Sequence, residues 1–150
     1  LTRHDRVTFR ALRGNHDPYK SLMLGLWLEA TYANEPRVTI APCDNPYQFH
    51  QHGRCSFMWH HGDGSKPQQM PGIFACDPSW GGAQWRYVQT GHVHSQHRWD
   101  FPGCTVESFR TVFTGDYWSH WKGYRSGRTL DAITYHAEHG EISRISQGPR

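Results

Sequence analysis

Apolar and polar positions along the chain switch between two periods, and the switches mark the elements. Residues 6–12 alternate loosely and are β-rich, which predicts a strand. The polar loop Arg13-Gly14-Asn15-His16-Asp17 follows at once. Asp17-Pro18 opens a helix, because Asp suits the N-cap and Pro suits the first helical position. Leu22, Leu26 and Glu29 or Ala30 then recur at helical spacing to about residue 32, and Asn34-Glu35-Pro36 stops the helix. Residues 37–41 read as a short strand. Residues 46–52 and 54–59 read as two strands joined at Gln51-His52-Gly53, the second running into His60-His61-Gly62-Asp63-Gly64. A short helix is expected over 69–76. A strand over 85–89 ends in Thr90-Gly91-His92-Val93-His94, and another covers 104–109, with His97, Arg98 and Asp100 in a hairpin before it. Residues 130–136 and 141–146 form a terminal hairpin turning at Glu138-His139-Gly140.

Three of these segments share one design: a strand whose carboxyl end delivers a loop rich in Gly, His and Asp. In α/β sheets ligands bind outside the carboxyl ends of strands, so three such loops are able to meet at one place. Taken singly, each loop has a plain structural reading. Gly14-Asn15-His16-Asp17 is a turn with Asp17 as helix cap. His60 and His61 are loop histidines, and adjacent residues of extended chain face opposite ways, so at most one faces a given ion. His92 and His94 fit a polar edge alternation. Residues i and i+2 of extended chain share a face, however, so both of those imidazoles can address one site. The combination is far less expected by chance than any one loop.

Composition sharpens this picture. The chain has 150 residues, of which 36% are hydrophobic and 19% charged, which fits one folded domain and argues against disorder. The longest apolar stretch, residues 22–28, is short and broken by Gly25, too little for a membrane span. The net charge of +3 permits an anionic substrate without demanding a nucleic-acid surface. Twelve histidines make metal chemistry the first thing to test. Cys43, Cys55, Cys76 and Cys104 form no C-x-x-C pair, which argues against a cysteine-based zinc module. With no secretory pattern, reduced thiols and a cytoplasmic setting are expected. Trp118 and Trp121 are the best candidates for an exposed aromatic platform. Arg110, Lys122, Arg125 and Arg128 around them read as a solvated basic face.

The loop sequences together resemble the calcineurin-like metallophosphoesterases. That family's signature runs D-x-H, G-D-x-x-D/N, G-N-H-D/E, a histidine loop and G-H-x-H. Gly14-Asn15-His16-Asp17 matches the third motif and Gly91-His92-Val93-His94 the last. His61-Gly62-Asp63 matches the histidine loop, in a form also seen in lipid-A-pathway pyrophosphohydrolases of the superfamily. Stretches 66–77, 106–113 and 123–128 look similar to phage and prophage members of unassigned role. The resemblance implies the C-terminal part of an α/β two-sheet sandwich flanked by helices. It also implies a metal-dependent phosphodiesterase or nuclease acting through two divalent ions. Asn15, His61 and His92 would ligate one ion and His94 the other, with His60 the fallback for His61. His16 would stabilise or protonate the leaving oxygen, with Asp17 orienting it. Imidazole and amide oxygen suit manganese, iron or zinc.

The first two family motifs have no counterpart here. Only Arg3-His4-Asp5 precedes the first strand, and no spacing selects Asp5, Asp44 or Asp77 as a substitute. The expectation is one truncated phosphoesterase domain over residues 1–150, holding perhaps one of the two ions. It would act on a phosphate ester, nucleotide or nucleic acid, and would self-associate or pair with a missing N-terminal half. A catalytically incomplete metal-binding or assembly module on the same scaffold is the alternative, and a mononuclear zinc hydrolase using Asn15, His61 and His92 a third.

Overall fold

The computed structural model describes residues 3–113, 121–123 and 125–149. The fold is mixed α/β and mostly β, and the chain divides into two compact units, residues 1–48 and 49–150. No helix among the described residues is long and apolar enough to cross a membrane.

The first unit is a β-α-β arrangement. Strand β1 (Val7–Arg10) pairs in parallel with β2 (Val38–Ala41), and α1 (Pro18–Thr31) connects them. The Glu35 carboxylate accepts from Arg37 Nε at 2.9 Å and from Nη2 at 2.7 Å in the turn from α1 to β2. These bonds hold Glu35 well below the usual carboxylate range, at about 2.

The packed face of α1 differs from the expected stripe. Ser21 and Gly25 are the buried positions, while Leu26 is exposed and Glu29 and Ala30 face solvent. Close approach decides this. Cys43 Sγ lies 3.9 Å from the Ser21 carbonyl, and a Cβ on Gly25 would stand 3.4 Å from the same sulfur. Small residues at both places suit that close approach. The opposite face is left with Tyr19, Met23, Leu26 and Trp27 exposed, the last by 63%.

The second unit centres on a five-stranded sheet of order β3-β4-β5-β7-β6. These are β3 (Gln48–His52), β4 (Cys55–His60), β5 (Trp85–Thr90), β6 (His97–Phe101) and β7 (Cys104–Ser108). Strands β4, β5 and β7 run parallel, and β6 returns antiparallel along the edge. Met58, Val88 and Val106 sit side by side in register, each fully buried, and form a continuous apolar row across the three parallel strands. Both faces of the sheet are covered, and β4, with five of its six residues buried, sits deepest. One face carries the short helix α2 (Met70–Phe74), with the Phe74 ring 5.3 Å from that of Trp80. A relay on the same side runs from Ser56 Oγ to Ser79 Oγ at 2.9 Å and on to Asp77 at 2.6 Å.

The other face carries the terminal hairpin, β8 (Leu130–His136) and β9 (Gly140–Gln147). Tyr135 stands edge-on to Phe57 at 4.7 Å and tilted against Tyr87 at 4.8 Å, over the buried Cys55. Polar ends of the aromatics are satisfied in a chain. Trp59 Nε1 donates to Gln89 at 2.6 Å, and Gln89 Nε2 donates to the Tyr135 hydroxyl at 2.9 Å. Gly140 has φ +77°, and a Cβ there would fall 2.6 Å from the Tyr87 hydroxyl and 3.0 Å from the Trp85 ring. All four cysteines are free thiols. Burial pushes the Cys104 thiol up to about 12 and raises Cys55 as well.

Two outcomes follow from this packing. Gly140→Ala combines a left-handed backbone with a clash against a packed ring, so chemical denaturation should show a loss of about 2–4 kcal/mol. A thiol reagent such as Ellman's should modify one cysteine per native chain, the exposed Cys76, and the other three only on unfolding.

Candidate functional site

Parallel pairing sets the site's geometry. His60 pairs with Thr90, and Thr90 with Ser108, so three parallel strands end at one level. Whatever follows them emerges at a common edge: His61, Gly91 and Phe109. Gly91 N–H donates to the His61 carbonyl at 2.9 Å, and Phe109 N–H donates to the Thr90 carbonyl at 2.8 Å. The loops after β4 and β5 are therefore stitched backbone to backbone. Gly62 makes the contact possible, with φ +111° and a Cβ position only 3.2 Å from the Gly91 carbonyl oxygen and 3.3 Å from His92 Cβ. As a result the His61 and His92 rings meet edge to face, centroids 5.1 Å apart.

His60 takes the opposite direction, as strand alternation expects. It is 3% exposed, its Nδ1 accepts from Gly62 N–H at 2.9 Å, and its Nε2 lies 4.0 Å from Asp63. Burial lowers its pKa, with the Asp63 carboxylate acting against that trend. The neutral His60 thus shapes the turn that presents His61.

The loop of His92 and His94 is not extended. His92 has φ +61° and His94 φ +54°, and Val93 N–H donates to the Gly91 carbonyl at 2.7 Å, closing a γ-turn centred on His92. The rule that residues i and i+2 share a face holds for extended backbone only, so it does not apply here. His92 points to His61, and His94 is exposed. Two non-glycine residues in the left-handed region cost on the order of 1–3 kcal/mol each, although His tolerates it better than most. The surroundings supply the hold. Ser108 Oγ donates to the Ser95 carbonyl at 2.8 Å and accepts from His97 N–H at 3.2 Å. Gln96 Nε2 donates to Glu107 at 3.4 Å.

Asn15, His16 and Asp17 belong to the first unit, in the loop between β1 and α1, and all three are exposed. Asp17 occupies the N-cap position, with its carbonyl accepting from Ser21 N–H at 3.1 Å, but its carboxylate makes no capping bond. It turns back and accepts from Gly14 N–H at 3.2 Å, a tight local ring that competes with capping.

Among the described residues no group of three or more His, Cys, Asp or Glu side chains is arranged to hold a metal ion. The His61–His92 pair offers two imidazoles, the right donor chemistry for a divalent transition ion but a partial set. Asp77, one conceivable substitute carboxylate, is engaged with Ser79. Trp118 lies outside the described residues, while Trp121 is exposed with Lys122 stacked over it at 4.7 Å. Sequence reasoning passed over Glu107, a carboxylate 5% exposed that is gripped by Arg144 at 2.5 and 2.7 Å. The sequence Cys-Thr-Val-Glu-Ser gives little local signal for it, because only the burial of the strand sets this acid apart. No protein-family model, curated protein or solved structure matches the chain.

Gly62→Ala should test the loop stitching. The added methyl forces the two loops apart and costs about 1–3 kcal/mol. The ring resonances of both His61 and His92 should shift in NMR spectra, while those of the distant His136 stay in place.

Proposed function

We propose that the chain carries the histidine-loop portion of a metal-dependent phosphoesterase of the calcineurin-like type. The observation that carries this reading is the close pairing of His61 and His92 at the carboxyl ends of β4 and β5. The two loops that meet there have the sequences His61-Gly62-Asp63 and Gly91-His92-Val93-His94, which the resemblance assigns to metal ligation. In this reading His61 and His92 hold one ion and His94 contributes to a second, each manganese, iron or zinc. Held there, such ions would supply Lewis-acid polarisation of a phosphate ester and activation of water.

The chain's own residues do the rest. His16 sits on an exposed loop at a helix start, and by the resemblance it would stabilise or protonate the leaving oxygen. Asp17 and Gly14 fix that loop through their mutual hydrogen bond. The substrate class is a phosphate ester, with a diester of nucleotide or nucleic-acid type favoured, in a cytoplasmic setting. The open apolar residues of α1 support self-association. A second reading is a metal-binding or assembly module without catalysis. It is favoured by the partial donor set, two imidazoles with no third ligand grouped among the described residues.

The deciding experiment is metal content of the purified chain together with hydrolysis of bis(p-nitrophenyl) phosphate in added manganese. Bound metal with turnover is expected. His92→Ala should lose the metal. His16→Ala should keep the metal and lose hydrolysis by about 10²–10⁴-fold, the usual contribution of a general acid. Metal binding without turnover in any divalent ion would favour the assembly module, and absence of both would remove the metal-site reading altogether.

A further inference from the structure

The ion pair of the buried Glu107 and the partly buried Arg144 lies beside the histidine loop and joins two separate elements. Arg144 comes from β9 of the terminal hairpin, and Glu107 from the carboxyl end of β7. The contact is a two-pronged fork, Nη1 to Oε1 at 2.5 Å and Nη2 to Oε2 at 2.7 Å. Glu141 completes the grip on Arg144, accepting from Nε at 2.9 Å and from Nη2 at 3.1 Å. A bidentate fork fixes the plane of a carboxylate as well as its position. The Glu107 carboxylate, so fixed, accepts from Gln96 Nε2 at the end of the 91–96 loop. The Glu107 carbonyl accepts from Thr90 Oγ1 at 3.2 Å, at that loop's start. The next residue, Ser108, holds Ser95 and His97. Both ends of the loop are thus tied to two consecutive residues of β7, and the side chain of one of them is set by the hairpin. Between those ties lie the two non-glycine residues with positive φ, a conformation that persists only where the surroundings enforce it.

We propose that Glu107 and Arg144 are positioning residues for the His92 loop, so that docking of the β8–β9 hairpin and occupation of the His61–His92 pair by a divalent ion favour one another. Linkage makes such coupling reciprocal: what strengthens hairpin docking strengthens ion binding, and the reverse. The ion-binding half rests on the metal-site reading above, whereas the loop-holding half does not.

The test uses the full chain and two readouts. The first is the NMR Cα and ring shifts of His92 and His94 without metal, which report the left-handed backbone. The second is affinity for Mn²⁺. Arg144→Ala should move the His92 and His94 signals toward values for ordinary backbone and weaken Mn²⁺ binding tenfold or more. Arg144→Lys, which keeps the charge without the fork, should fall between. Gln96→Leu leaves the ion pair whole and should move the same signals, which keeps the test open if Arg144→Ala fails to fold. Tyr135→Phe removes only the hairpin's bond to Gln89 and should leave His92 and His94 unmoved. Unchanged histidine signals in both Gln96→Leu and the Arg144 variants would overturn the proposal, as would equal shifts in Tyr135→Phe. A wild-type chain that binds no Mn²⁺ would sink the metal-site reading, while the histidine shifts would still decide the positioning role.

Discussion

The structure of the larger unit depends on the parallel register of β4, β5 and β7. Hydrogen bonding between parallel strands fixes where each ends relative to its neighbours, and here His60, Thr90 and Ser108 fall at one level. Everything chemical in this unit hangs from that edge. A slip of two residues in β5 would carry His92 about 7 Å along the strand, out of reach of His61. The register is locked from within by the fully buried row of Met58, Val88 and Val106. Any slip would turn those side chains against the wrong neighbours or onto the wrong face.

A second layer of constraint is polar. Glu107 is a buried acid at the end of a buried strand, and such a group is tolerable only when paired and hydrogen-bonded. Arg144 and Gln96 satisfy that demand. The net stabilisation from such a pair is small, because desolvation offsets most of the attraction, but loss of one partner costs about 3–5 kcal/mol. The pair ties the hairpin to the end of β7, and the Tyr135–Phe57–Tyr87 contacts supply the apolar area that holds it on the sheet.

The smaller unit shows how steric detail overrides hydrophobic pattern. Helix α1 carries apolar residues around most of its circumference, so periodicity alone cannot say which side faces inward. Ser21 and Gly25 form the buried side, where their small size suits the close approach of Cys43. The leucines that suggested the stripe end up in part on the open side, next to Tyr19 and Trp27.

The sequence by itself determined where the elements lie. Gly, Pro, Asn and Asp punctuate the chain at Asp17-Pro18, Gly53, Gly91 and Gly140, and the runs between them carry clear periods, so both hairpins and α1 were legible nearly to the residue. The loops rich in Gly and His were legible too, as was the opposed orientation of His60 and His61, because side-chain alternation is a local property of extended chain. Tertiary structure alone decided the rest. The β5–β7 pairing that skips β6 joins residues whose partnership leaves no local trace. The γ-turn at His92 breaks the alternation that the same residues suggest in isolation. Asp17 turns its carboxylate to Gly14 instead of to the helix, a choice between two local partners that composition does not weigh. Glu107 acquires its meaning from Arg144, a residue far along the chain. Local sequence sets backbone preference, but which side chains meet is fixed only when distant strands settle into register and close-packing removes the alternatives.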